Sequence, residues 1–170
     1  MRLLAFIGVL AIIGAIGAGI FFFGGFYSVA ASEPDIAGIK WALVRVRTAS
    51  IERHATDQPS VQLGDPEVVK AGARAFNDLG CANCHGAPGV KWAKFSEGLH
   101  PDPPDLAEAG KDLAPAQIFW AVKNGINMTG MPSFGAIKAD DQTIWRVVAF
   151  VRKMSIVSAD DYKTWTAAQQ

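Results

Sequence analysis

Two cysteines and three histidines are all that 170 residues offer for covalent cross-links or metal cages. Cys81 and Cys84 are so close that a disulfide between them would close too short a loop to staple a fold. A four-ligand zinc site would have to recruit His54 and His100, and both stand isolated in the chain. Net charge is missing too: 16 basic side chains balance 16 acidic ones, so no basic surplus exists to hold a nucleic acid. Charge is absent altogether from Leu3 to Ser32. The polar/apolar alternation of a half-buried strand is absent from the globular part that follows. These gaps exclude a disulfide scaffold, a structural zinc domain and a nucleic-acid binder, and they leave an all-α expectation.

The uncharged stretch is the first positive feature. Leu3 to Tyr27 is almost wholly apolar or glycine, and about 20 such residues suffice for a helix to cross a bilayer core. A cleaved signal, cut after Ser28-Val29-Ala30 or Val29-Ala30-Ala31, would have an apolar core of roughly 7–15 residues. This one is longer, and residues 1–32 read as a transmembrane anchor. Ala11, Gly14, Ala15, Ala18 and Gly19 recur on one helical face, the small-residue pattern that lets a second membrane helix approach closely. That stripe predicts a second membrane helix as the partner of the anchor, and so a subunit of a membrane complex.

Residues 33–64 read as a surface helix and a linker. Ile36, Ile39, Leu43 and Val46 follow three- and four-residue steps, with Lys40, Arg45, Arg47, Glu52 and Arg53 at polar positions. The pattern predicts an amphipathic helix, lying in the membrane interface beside Trp41 or packed on a partner. Thr56 to Gly64, with Pro59, reads as the linker.

Asp65-Pro66-Glu67 then opens a helix with an N-cap acceptor and a proline at the first position. Val68, Gly72, Ala75, Phe76 and Leu79 form its expected buried face, and Gly80 its stop. Gly72 inside a helix predicts a close helix crossing, since glycine there costs about 1 kcal/mol against alanine. Pro115 opens a helix over 116–123 that Gly125 closes. A last helix runs from about Asp140 to Met154, with Ile144, Val147, Val148 and Val151 buried and Trp145 and Phe150 beside them.

Immediately after Gly80 comes Cys81-Ala82-Asn83-Cys84-His85, and C-x-x-C-H is the attachment signature of a c-type haem. Thiols at this spacing reach two edges of one porphyrin, and the adjacent histidine becomes the proximal iron ligand. A thioredoxin-type dithiol would need a βαβ setting, whereas the segment before Cys81 reads as helix.

Residues from about 65 to 155 resemble a class I c-type cytochrome, the small monohaem electron-transfer fold. The resemblance rests on the ordered set of Gly72 and Phe76, the Cys81–His85 motif with Gly86, Pro103-Pro104-Asp105-Leu106, Ile118 to Gly125, and Thr129-Gly130-Met131-Pro132-Ser133-Phe134-Gly135. It implies a cytochrome c domain over residues 65–157 followed by a tail, 158–170. It further implies that the Pro104 carbonyl accepts from the second ring nitrogen of His85, and that Met131 is the distal ligand. Leu106, Trp120 and Phe134 would supply a dry surround. The metal ligands are then His85 and Met131, with Met128 the nearby rival expected to pack close by. Trp92 and Phe95 are expected in the core, with a haem edge or a docking rim as alternatives. His54 and His100 are expected at the surface or in linkers, and the tail as a docking segment or a frayed end. Pro132 restricts the backbone of Met131 to extended conformations, which stiffens the loop that presents the sulfur.

Two protein ligands on one iron suit one-electron transfer and not catalysis, because no axial position is left for substrate. Histidine–methionine ligation favours Fe(II) and a raised potential. Between Asp65 and Met154 ten acidic side chains meet ten basic ones, so a lysine-rich docking face is not evident and the anchor supplies proximity instead. The expectation is a single-pass protein of the bacterial cytoplasmic membrane, with its haem domain periplasmic. The flanking Lys40, Arg45 and Arg47 weakly favour the opposite orientation, but c-type haem is attached on the outer face. It would relay electrons between a membrane oxidoreductase and a second electron-transfer protein or terminal oxidase. The alternative is a haem-based sensor in which Met131 leaves the iron to a small ligand.

Overall fold

In the computed structural model the described residues, 2–167, form two compact units divided after Pro34. The first is built on α1 (Arg2–Phe23), 22 residues with no polar break. At 1.5 Å per residue it is about 33 Å long, enough for a hydrocarbon core of roughly 30 Å. None of its side chains is buried and its mean hydropathy reaches 2.6, so lipid is the solvent it is composed for. A Cβ added at Gly14 or Gly19 would meet nothing within 4 Å, so the small-residue stripe is open. The rings of Phe21, Phe22 and Tyr27 cluster at the end of the span.

The second unit is helical throughout, with no strand among the described residues. Its helices are α2 (Ala37–His54), α3 (Pro66–Asp78), α4 (Ala82–His85), α5 (Leu106–Asp112), α6 (Pro115–Asn124), α7 (Asp141–Lys153) and α8 (Ala159–Thr166). Short 3-10 turns occupy Lys94–Gly98 and Met154–Ile156.

The N-caps follow the sequence signals. Asp65 accepts from Glu67 N at 2.8 Å, Asp105 from Ala107 N at 2.8 Å and Asp140 from Thr143 N at 2.9 Å. Helix α6 lacks this, because Ala114 stands where a hydroxyl or carboxylate belongs. Gln117 supplies only the reciprocal half of a capping box, its Oε1 accepting from Ala114 N at 2.8 Å. Ala114→Ser should therefore stabilise the domain by about 1 kcal/mol, read as a rise in the thermal midpoint.

Helix α7 is the spine. Ile144, Trp145, Val147, Val148, Ala149, Phe150 and Val151 are all buried, so it is enclosed on nearly every side. Helix α3 crosses it at Gly72, where an added Cβ would lie 1.9 Å from the Arg146 carbonyl oxygen. The buried face of α3 is Val69, Gly72, Ala73 and Phe76. Val68, Ala75 and Leu79, which the sequence pattern places in that face, are only half-buried, because the crossing turns Val69 and Ala73 inward. Phe76 meets Phe150 edge-on at 5.2 Å, and Phe119 of α6 stacks on Trp145 at 4.1 Å.

Two elements went unread in the sequence. Helix α5 presses Gly110 against α7, where a Cβ would meet the Val151 carbonyl oxygen at 2.8 Å. Arg152 then donates to the carbonyls of Gly110, Lys111 and Leu113, closing the C-terminal end of α5. Helix α8 packs the tail back on the domain. Tyr162 is buried and stacks on Phe150 at 5.6 Å, and Arg74 Nε donates to Trp165 O at 2.9 Å. The expectations for 168–170 lie outside the described residues.

Candidate functional site

Helix α3 ends at Asp78, and two residues on, Gly80, with a φ of 76°, reverses the chain so that Cys81 stands at the N-cap of the single turn of α4. One helical turn separates Cys81 from Cys84, which brings both thiols to the same side. Cys81 is buried and Cys84 half-buried. Burial pushes the Cys81 thiol up to about 12. Ala93 N donates to Asn83 O at 2.8 Å, tying the following loop back onto this turn.

His85 closes the turn. Its Nδ1 lies 2.9 Å from the Pro104 carbonyl oxygen. A carbonyl only accepts, so Nδ1 carries the proton and Nε2 keeps its lone pair. Burial holds His85 below its ordinary value, over the opposing pull of Pro104, which favours the neutral ring, the form that ligates a metal. Two adjacent thiols and a ring with a fixed tautomer and a free Nε2 fit a covalently attached haem.

The Gly125–Gly135 loop is bolted to the last turn of α6. Gly125 has φ 69°, and a Cβ there would fall 2.7–2.9 Å from the backbone of Met131, Pro132 and Ser133. Ser133 Oγ and Gly135 N donate to Lys123 O, and Phe134 N donates to Val122 O. Thr129 Oγ1 donates to Ile126 O at 2.7 Å and accepts from Met131 N at 3.1 Å. Met131 is half-buried against the core and Phe134 fully buried. Met128 has φ 60° and is 76% exposed. It does not pack nearby as expected, because the tight Asn127–Gly130 turn carries it outward.

Leu106 begins α5, half-buried against the core. Trp120 is also half-buried, and its ring stacks on His54 at 6.1 Å. No periodicity signals that contact; His54 reaches it because the end of α2 packs on α6. His100 Nε2 lies 3.4 Å from Asp35 Oδ2. Trp92 and Phe95 are not in the core: they are 52% and 63% exposed. Phe76, Phe119, Trp145 and Phe150 fill the interior, and residues 90–95 run over its surface with Trp92 resting an edge near Gly86.

Residues 67–151, from α3 to the end of α7, match the family described as cytochrome c oxidase, cbb3-type, subunit III. The chain belongs to this family. No curated protein and no solved structure gives a significant match. The matched half contains α4, Pro104 and the Met131 loop, and leaves α1, α2 and α8 outside. The cbb3-type subunit is a membrane-anchored cytochrome with a covalently bound haem on its C-x-x-C-H motif, and it transfers electrons in a respiratory complex. Membership implies association with other oxidase subunits through the anchor, and α1 is the one helix among the described residues long and apolar enough to cross a membrane, consistent with an extramembranous remainder.

Proposed function

We propose that His85 and Met131 would both ligate the haem iron, and that the subunit passes single electrons on the periplasmic face of the bacterial cytoplasmic membrane. When bound, the haem supplies a one-electron Fe(II)/Fe(III) couple. Cys81 and Cys84 hold it, and Pro104 fixes the ring of His85 through Nδ1. Leu106, Trp120 and Phe134 would keep water from it, which would disfavour the more charged ferric form. Its electrons go between the oxidase and a second electron-transfer protein.

The observation that carries this reading is the loop around Met131. A sensor needs a methionine that leaves readily, whereas here the backbone on both sides of Met131 is hydrogen-bonded or packed into α6. Carbon monoxide added to the reduced full-length protein should bind slowly or not at all at neutral pH. Rapid stoichiometric binding would transfer the protein to the sensor class. Orientation has its own assay: protease added to intact spheroplasts should remove the haem domain, and full protection would reverse the topology.

A further inference from the structure

A methionine side chain is a loose tether, because three rotatable bonds separate its sulfur from the backbone. The sulfur of Met131 stays where it is presented only if its backbone is fixed. After Met131 the fixing comes from α6. Ser133 Oγ and Gly135 N donate to Lys123 O at 2.7 and 2.9 Å, and Phe134 N donates to Val122 O at 3.1 Å. The residues before it are held differently. Asn127 and Met128 are exposed, and Met128 has a φ of 60°, a left-handed conformation that residues other than glycine rarely adopt.

Thr129 closes that side of the loop. Its Oγ1 donates to Ile126 O at 2.7 Å and accepts from Met131 N at 3.1 Å. One hydroxyl thus spans the strained turn and ends on the amide of Met131 itself. Ile126 N donates to Met131 O at 3.2 Å and completes the ring. Gly130, between Thr129 and Met131, lies against Leu99, whose Cδ2 would be 2.9 Å from an added Cβ. Both bonds of Thr129 need a group that donates and accepts at once, which a hydroxyl does. Serine keeps that group; valine, with a methyl in its place, can do neither.

We infer that Thr129 is a positioning residue for Met131, and that its hydroxyl sets how readily the sulfur leaves the iron. The inference rests on the reading of Met131 as the distal ligand. Without the hydroxyl, the Met131 amide and the Ile126 carbonyl lose these partners, and the turn at Met128 is free to relax. The sulfur-off state then has less to give up, so its population rises. The closure of the iron is on this account a property of the loop and not of the methionine alone.

The test compares T129V, T129A and T129S in the full-length, haem-loaded protein, with M131A beside them. T129A removes the hydroxyl without adding a methyl in its place, so it reads the same loss if valine does not fit. In T129V and T129A the weak near-infrared absorption of sulfur on ferric iron should decline and the reduction potential should fall. Their reduced forms should take up carbon monoxide at least about fivefold faster than the parent, as the loss of two hydrogen bonds requires. T129S should keep the absorption and stay within about twofold of the parent in uptake. Unchanged absorption and uptake in T129V and T129A, even with a lowered thermal midpoint, would overturn the inference and leave Thr129 a structural residue. So would T129S losing as much as T129V. The Met131 reading fails differently: the parent would lack the absorption, or M131A would keep it, and the inference would fall with it. An absorption that M131A abolishes and the hydroxyl-free variants retain would sink the inference alone.

Discussion

Met131→Ala should lower the reduction potential by a sizeable fraction of the ~0.8 V range over which axial ligands set haem potentials. The thioether is a soft, neutral ligand that stabilises the ferrous state, and alanine puts water or nothing in its place. The weak near-infrared absorption that reports sulfur on ferric iron should vanish, and the reduced variant should take up carbon monoxide. Met128→Ala is the control. Its side chain is 76% exposed, so potential and spectrum should stay as they were. The polypeptide should tolerate the Met131 change, because the hydrogen bonds that shape the loop involve Thr129, Ser133 and the backbone. An unaltered near-infrared band in Met131→Ala would remove this residue from the iron.

Gly72→Ala should be the most damaging single methyl group that can be added to the domain. The new Cβ would lie 1.9 Å from the Arg146 carbonyl oxygen and 3.0 Å from Phe150 Cβ. Neither the oxygen nor its helix can retreat without separating α3 from α7. Overpacking costs typically 1–3 kcal/mol and occasionally more, and a backbone clash at the central crossing belongs at about 3 kcal/mol. For a domain of this size that lowers the thermal midpoint by roughly 12–20 °C. Helix propensity works in the other direction, since alanine outranks glycine by about 1 kcal/mol. A fall in stability would therefore isolate the crossing as its cause. Gly64→Ala, where nothing lies within 4 Å of the new atom, should shift the midpoint by no more than about 0.5 kcal/mol in equivalent stability. A Gly72→Ala protein as stable as the parent would mean that the helices do not cross as described.

The two results would bear on what the chain discloses before it folds. Gly72 was legible because an interior glycine opposes helix propensity and needs a reason. The C-x-x-C-H motif was legible because covalent attachment fixes both spacing and residue types. The ends of α3, α6 and α7 were legible because caps, prolines and glycines act locally. Helix α5 was missed although Asp105 is a sound N-cap, because seven residues leave too little periodicity to register. Helix α8 was missed because its stability is tertiary, resting on Tyr162 against Phe150 and on Arg74 reaching the Trp165 carbonyl. Trp92 and Phe95 were misplaced for the complementary reason. Aromatic size predicts burial only while the interior has room, and four other aromatic rings, Phe76, Phe119, Trp145 and Phe150, fill it. The stripe of α2 was half-read: its apolar steps are real, but Lys40 and Arg47, two turns apart with Leu43 and Val44 between them, share its face and were counted as its polar side.

Cys81 lies in the same buried cluster as Met154 and Tyr162, residues from the far end of the chain. Burial raises the Cys81 thiol above its ordinary value, and the thiolate is the form that reacts. Until α7 and α8 have been delivered, that burial does not exist. A chain that emerges amino end first therefore exposes Cys81, Cys84 and His85 while α7 and α8 are still to come. In that order of emergence both thiols are accessible before the C-terminal helices pack over Cys81.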